Sequence, residues 1–281
     1  MAQNKQALKA RIRSIQSTKK ITKAMEMIAN SKLAKQRKLM EENRIYAYEL
    51  QKLVNAIVTS GSELQSKYIL NHETQACFNI VFCSDLGLCG GYNSNLMKFV
   101  RANARKEDPM VVFGTHEYKH LNKEGFHIIN EPISIDDVDL QEVIDEVTLA
   151  LESYQRDEVS KIQIFYTKFV NTVTFEPCLN VLLPYQQGEE GVDAGIIKEI
   201  EFDPDMEGVL NQLIEQMVIN VTYALSLETR TAEQASRRLA METASDNAEE
   251  LEDKLVLQFN QARQAAITQE LTEIVAGADA L

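Results

Sequence analysis

Val209-Leu210-Asn211-Gln212-Leu213-Ile214-Glu215-Gln216-Met217-Val218-Ile219-Asn220-Val221-Thr222-Tyr223-Ala224 opens a run that reaches Ala276 without a glycine or proline. Leu210, Leu213, Met217, Val221 and Ala224 recur at spacings of three and four, and the pattern resumes at Ala244, Ala248, Leu251, Leu255, Phe259 and Ala262. That spacing lines up one stripe of an α-helix. At 1.5 Å per residue the helix would be ~100 Å long, too long to fit inside a compact domain. Its stripe therefore needs a second long helix.

The chain offers one at its other end. Residues 1–60 also lack glycine and proline and are rich in Lys, Gln, Glu, Ala, Met and Leu, all good helix formers. All five prolines and ten of the eleven glycines fall between Gly61 and Gly208. The expected fold is thus an antiparallel two-helix coiled coil of N- and C-terminal arms with a central Rossmann-like α/β domain. The divisions are 1–60, 61–207 and 208–281.

Within the middle, apolar runs and breakers predict strands at 76–83, 110–113, 126–129, 161–169 and 172–183. Helices are predicted near 95–105, 117–123 and 140–154. The order argues a mainly parallel sheet closed by an antiparallel edge pair. Residues 188–195, acidic and glycine-containing, read as an exposed loop.

The first arm carries two apolar strips. Leu8, Ile12, Ile15, Leu33 and Met40 lie near one face, whereas Ile21, Met25, Ile28 and Leu39 cluster about a third of a turn away. One strip meets the partner helix; the other calls for an external surface, unless both merge into one wide stripe inside a three-helix bundle.

Charge is distributed unevenly. The chain totals −13, yet residues 1–44 hold 12 Lys/Arg against three acids, leaving 17 against 39 in the remainder. A basic end on an acidic body suggests two different partner surfaces, one of them negative. Nucleic acid fits poorly, since the acidic body would repel phosphates and the second apolar strip would have no use on them. No run approaches the length of a membrane span, and Met-Ala-Gln-Asn-Lys lacks the apolar region of a secretory signal. A soluble, cytoplasmic chain is expected.

Candidate chemistry is sparse. Ser84-Asp85-Leu86-Gly87-Leu88-Cys89-Gly90-Gly91-Tyr92-Asn93 lies between a predicted strand and a helix, where phosphate loops occur, but it has neither the Gly-Lys-Ser/Thr ending nor Gly-x-Gly-x-x-Gly. A tight turn is the better reading. His116 and His120 stand at i, i+4, with no third ligand at a recognisable spacing and His127 further on, so solvated surface histidines are expected and no metal or cofactor. Cys77, Cys83, Cys89 and Cys178 form no Cys-x-x-Cys pair and read as reduced thiols. No nucleophile signature is present.

Three segments carry a family resemblance. Ile12-Arg13-Ser14-Ile15-Gln16-Ser17-Thr18-Lys19-Lys20-Ile21-Thr22-Lys23-Ala24-Met25-Glu26-Met27-Ile28-Ala29 closely resembles the N-terminal helix of ATP synthase gamma subunits. Asn260-Gln261-Ala262-Arg263-Gln264-Ala265-Ala266-Ile267-Thr268-Gln269-Glu270-Leu271-Thr272-Glu273-Ile274-Val275-Ala276-Gly277-Ala278 resembles that family's C-terminal signature, and the glycine turn is the third match. Together they span start, middle and end.

The resemblance implies a rotating central stalk within a ring of alpha and beta subunits, with its foot on the c-ring and the epsilon subunit beside it. Nucleotide would be bound by the ring, and the chain itself would be non-catalytic. Arg263 and Gln264 match the pair that bonds a catalytic-subunit loop, with Thr268, Glu270 and Glu273 in the same zone. Met25, Lys20 and Lys23 match the stretch passing the acidic, mobile end of the beta subunits. Leu271, Ile274, Val275 and Leu281 would form the bearing tip. Arg44, Tyr46, Phe202 and Asp203 would form the foot, although Phe202 and Asp203 stand where some relatives have Tyr-Glu, and Leu86 where Arg is frequent. The regulatory cysteine insertion of the chloroplast form is not seen. A bacterial protein on the cytoplasmic face of the cell membrane is expected, without membrane insertion or homo-oligomer. A nucleotide-binding α/β enzyme and a coiled-coil nucleic-acid adaptor are the competing readings.

Overall fold

The structure, a computed structural model, describes residues 2–60, 66–70, 74–136, 138–186, 202–203 and 205–279, with side chains described for these except 2–4, 273 and 277–279. The expected loop at 188–195 and Leu281 lie outside the described residues, as does the side chain of Glu273.

Among the described residues nine elements follow in order: α1 (Ala2–Ser60), β1 (Cys77–Phe82), α2 (Tyr92–Asn103), β2 (Met110–Phe113), α3 (Thr115–Lys123), α4 (Leu140–Gln155), β3 (Lys161–Asn171), β4 (Thr174–Leu183) and α5 (Met206–Asp279). The C-terminal helix starts three residues before the unbroken run read from the sequence. Asp205 is the reason: its carboxylate accepts from the Gly208 amide at 2.7 Å, a capping bond that holds a glycine inside the first turn. Helix α4 is fixed by a capping box, with Asp139 Oδ1 accepting from the Glu142 amide and Glu142 Oε2 from the Asp139 amide.

The chain divides into two compact units. One comprises Met1–Asn30 and Arg237–Leu281, the other Ser31–Ser236.

In the first unit α1 and α5 run antiparallel. Thr22 meets Ser245, Lys19 meets Glu249 and Gln16 meets Glu252, so the partner's number rises as the α1 number falls. The seam on α1 follows strict three-four spacing through Leu8, Ile12, Ile15, Lys19, Thr22, Glu26 and Ala29, all buried or half-buried. Its polar centre is what sequence patterning missed, because only large apolar residues had marked the strip. On α5 the seam runs Met241, Ser245, Ala248, Glu252, Leu255, Phe259 and Ala262. Leu251, expected in the seam, is 42% exposed instead. Heptad spacing from Ala248 selects Glu252, which accepts from Gln16 at 2.8 Å and lies 3.7 Å from Lys19.

The second unit is built on a four-stranded sheet of order β2-β1-β3-β4. The first three strands are parallel and β4 is antiparallel to β3. Alternate residues of each strand face opposite layers. Phe78, Ile80, Phe82, Ile162 and Ile164 pack with Val143 and Val147 of α4, Leu50, Val54 and Ile57 of α1, and Leu210, Ile214 and Val218 of α5. Val81, Met110, Val112 and Phe165 pack with Leu96 and Val100 of α2 and Leu121 of α3. On that second face Gln163 donates to Asn79 at 2.7 Å, satisfying two amides buried in the sheet.

The strand expected at 126–129 is reduced to an isolated bridge, Met110↔Ile128. The ladder is interrupted because the Asn130 side chain takes the next backbone place: its Oδ1 accepts from the Val112 amide at 2.9 Å and its Nδ2 donates to the Val112 carbonyl at 3.1 Å. A second bridge, Phe113↔Ile133, resumes beyond it.

Candidate functional site: a clasped helix and an exposed helix end

In doubly wound α/β proteins, ligands enter a crevice at the carboxyl ends of parallel strands where the chain order reverses. Here β1 stands at that reversal, between β2 and β3, and the glycine turn follows it. Leu88 and Gly90 both adopt left-handed backbone, φ 61° each, which folds the turn tightly before α2. Asn93 locks it from inside, exchanging hydrogen bonds with Ser84.

Helix α5 takes the place a ligand would have. The Ser236 hydroxyl donates to the Cys89 carbonyl at 2.6 Å, and the Tyr92 hydroxyl to the Thr229 carbonyl at 3.3 Å. Ala232 packs between Cys89 and Tyr92. Glu228 accepts from the Phe169 amide at 3.0 Å, and Arg230 donates to the Asp136 and Val138 carbonyls. Burial raises the Glu228 pKa above the ordinary carboxylate range, opposed by that Phe169 amide bond. Strand β3 and two loops thus hold one stretch of α5, and residues 231–237 are buried all round the helix.

Asp85 organises the loop that carries Asp136. It accepts from the Ser134 hydroxyl at 2.7 Å and from the amides of Asp136, Thr115 and Ile135 at 2.9, 3.0 and 3.2 Å. Burial alone would raise its pKa; the bonds from the Asp136 amide, Ser134 hydroxyl and Thr115 and Ile135 amides outweigh it and hold the carboxyl below its usual value. Sequence reading had quoted Asp85 only as part of the turn. Gly114 was missed altogether: it has φ 104°, and a Cβ there would lie 2.3 Å from the Cys83 carbonyl oxygen.

The other feature is at the end of α5. By the antiparallel register, Ala2 of α1 lies level with about Ala266 of α5. Residues 267–272 are all exposed. Ile267, Leu271 and Ile274 repeat at four and three residues on this exposed stretch, and Leu271 and Ile274 are 58% and 68% exposed, with Val275 beside them. Arg263, Gln264, Thr268 and Glu270 are exposed too; the Thr268 hydroxyl donates to the Gln264 carbonyl of its own helix.

On α1, Ile21 and Ile28 are 58% and 59% exposed, while Met25 and Leu39 are half-buried. Lys20 and Lys23 are exposed, Lys23 pairing with Glu26 at 3.0 Å. The four residues assigned to the foot do not share one environment. Tyr46 and Asp203 are exposed, Phe202 packs against the larger core, and Arg44 lines a cavity of about 290 Å³ with Tyr48, Lys168 and Glu228.

Comparison with known proteins decides the lineage. The family model described as ATP synthase matches residues 4–281. The chain is 37% identical to the ATP synthase gamma chain of Mesoplasma florum over 280 residues, covering 98% of this chain and 97% of that one.

The chain belongs to the ATP synthase gamma chain family.

It is also 35% identical to the sodium ion specific ATP synthase gamma chain of Acetobacterium woodii, over the whole of both chains. Among solved structures, a chain of the Euglena gracilis mitochondrial ATP synthase aligns with a TM-score of 0.68 at 16% identity, covering 100% of this chain and 95% of that one. A chain from the central stalk and c-ring of Tetrahymena thermophila mitochondrial ATP synthase aligns at 0.62 and 23% identity, covering 80% and 99%. These two likenesses are of fold. The gamma-chain family fold is therefore the observed one, long helices around an α/β sheet, and among the described residues no helix is long and apolar enough to cross a membrane.

Proposed function

We propose that this chain is the rotating central stalk of an F-type ATP synthase, coupling ion translocation through a membrane c-ring to ATP synthesis or hydrolysis in an alpha/beta ring. The observation that carries the reading is the end of α5, whose apolar repeat Ile267, Leu271, Ile274 is exposed, with no cover from the described residues. An apolar stripe of that kind needs an outside surface, and a sleeve formed by the top of the ring would act as its bearing.

Arg263 and Gln264, next to that stripe, supply a forked guanidinium and an amide for a catalytic-subunit loop. Thr268, Glu270 and Glu273 join the same contact, and Leu281 the tip. Met25, Lys20 and Lys23, beside exposed Ile21 and Ile28, would meet the acidic moving ends of the beta subunits. Arg44, Tyr46 and Asp203 serve the foot against the c-ring and epsilon. Phe202 would act there by fixing the start of α5 on the core.

The chain itself is non-catalytic in this proposal. With α5 seated at the strand ends, the crevice that would hold a nucleotide is taken, which argues against the nucleotide-binding enzyme. An asymmetric stalk touches three equivalent catalytic subunits differently and so biases each toward a different nucleotide affinity. Its place is peripheral, on the cytoplasmic face of a bacterial membrane. Either proton or sodium coupling suits it.

The test is single-molecule. This chain is assembled with its cognate alpha and beta subunits, a bead is attached through an engineered surface cysteine in the sheet-containing unit, and ATP is added. Stepwise one-way rotation is expected. A stable complex whose bead never turns would overturn torque transmission.

A further inference from the structure

Helix α3 lies beside the glycine turn and brings together three side chains that the stalk role leaves unused. His116, Glu117 and His120 occupy an arc of about 100° on one helix face. Their ligand atoms all lie within 4.8 Å of one another, the one such three-residue cluster among the described residues. His116 Nδ1 is 2.8 Å from Glu117 Oε1, and His120 Nδ1 is 3.4 Å from Glu117 Oε2. The carboxylate thus sits between two rings.

Glu117 is buried, its residue only 8% exposed. A buried carboxylate needs a compensating charge or a full set of donors. Its ion-pairing partners among the described residues are the two imidazoles; the nearby guanidinium of Arg101 is held two-pronged by Glu124 at 2.8 and 2.6 Å. The rings themselves lie at the surface, open to an incoming ion.

We propose that His116, Glu117 and His120 form a binding site for a divalent transition-metal ion of the zinc class. Zinc bonds of 2.0–2.2 Å in tetrahedral geometry put ligand atoms about 3.4 Å apart. The two carboxylate–imidazole spacings, 2.8 and 3.4 Å, lie close to that value, so ligation asks for side-chain rotation at the histidines. Two imidazoles and one carboxylate suit zinc, cobalt or nickel, whereas calcium and magnesium prefer all-oxygen sets. Three protein ligands leave the fourth position to water. The ion would neutralise Glu117 and tie the first two turns of α3 together. The sequence carried the signal, since His116-Glu117-Tyr118-Lys119-His120 is the His-Glu-x-x-His pattern of zinc-binding helices, read above only as a pair of histidines.

The probe is zinc alone, titrated into the full-length chain against a chromogenic indicator, with cobalt absorption reporting tetrahedral ligation. One equivalent is expected to bind. His116→Gln, Glu117→Gln and His120→Gln should each weaken it at least about tenfold, the loss typical even of residues that only support a metal ligand. Far-UV circular dichroism shows whether each variant is folded, and His127→Gln is the neutral control. Absence of stoichiometric zinc in the wild type would overturn the site. So would equal weakening by His127→Gln, or loss on Cys77→Ser/Cys178→Ser with the histidine variants unaffected, which would place the ion on thiols.

Discussion

The Ser245 hydroxyl donates to Thr22 Oγ1 at 2.8 Å, joining two helices across 223 residues of sequence, and Thr22 passes the bond on to the Lys19 carbonyl at 3.1 Å. Both side chains are buried. This short polar relay marks the centre of an otherwise apolar and alanine-rich seam and fixes the antiparallel register there. Thr22→Val leaves the Ser245 hydroxyl without its acceptor and should cost about 1–2 kcal/mol in denaturant unfolding. Thr22→Val/Ser245→Ala should cost less than the two single losses added together, since no hydroxyl is then stranded. Additive losses would show that the relay does not work as a unit.

Gly114→Ala should be among the most damaging single substitutions in the sheet-containing unit. Its Cβ would press the Cys83 carbonyl at 2.3 Å and carry the added strain of a φ of 104°. Loss of more than about 4 kcal/mol, or failure to accumulate folded protein, is expected. Gly125→Ala is the control: φ is 88° but nothing lies within 4 Å, so only the backbone strain of about 1–2 kcal/mol remains. Thermal melts of the pair separate collision from conformation.

Asp85 gives a pH signature. Its folded pKa lies below the ordinary value of 3.8, so its contribution is present above roughly pH 4, where the unfolded carboxyl is already ionised. That contribution is lost as pH falls through the lower folded value. Asp85→Asn should cost about 2 kcal/mol at neutral pH, the scale of a charge-assisted bond, and flatten the acid limb of the stability curve. An unchanged acid limb would assign that limb to other carboxylates.

Glu228 should behave in the opposite sense. With a raised folded pKa, its stabilising contribution is complete at low pH and diminishes as pH rises through the folded value. Glu228→Gln keeps an acceptor for the Phe169 amide and removes the charge. Unfolding at neutral pH should show it neutral to slightly stabilised; a clear loss would mean that attraction to Arg44 and Lys168 outweighs burial.

Arg263→Ala and Gln264→Ala should leave the melting curve of the isolated chain unchanged, because both side chains are exposed, off the seam that faces α1. In the assembled enzyme they should lower ATP-driven pumping relative to ATP turnover. Wild-type turnover and pumping in both would remove these residues from the proposed contact.

Much of this architecture was legible in residue order alone. Two long segments free of glycine and proline announced two long helices, because those residues are the strongest helix breakers. Clustered breakers and short apolar runs located the sheet, and three matching segments indicated the family. Exposed Ile21 and Ile28 followed from a second strip that one partner helix could not cover.

Other features were decided only when the chain closed on itself. Leu251 read as seam, yet Glu252 holds the position, since a seam is chosen by register with its partner and not by hydrophobicity residue by residue. The 126–129 segment had strand composition, but the Asn130 side chain took over the ladder from a neighbouring strand. Glu228, Arg230 and Ser236 looked like ordinary polar helix residues until a strand and two loops distant in sequence supplied their partners. Periodicity and composition act within a few residues along the chain. Hydrogen-bond satisfaction and burial are settled between segments far apart in sequence, and only the tertiary structure brings those together.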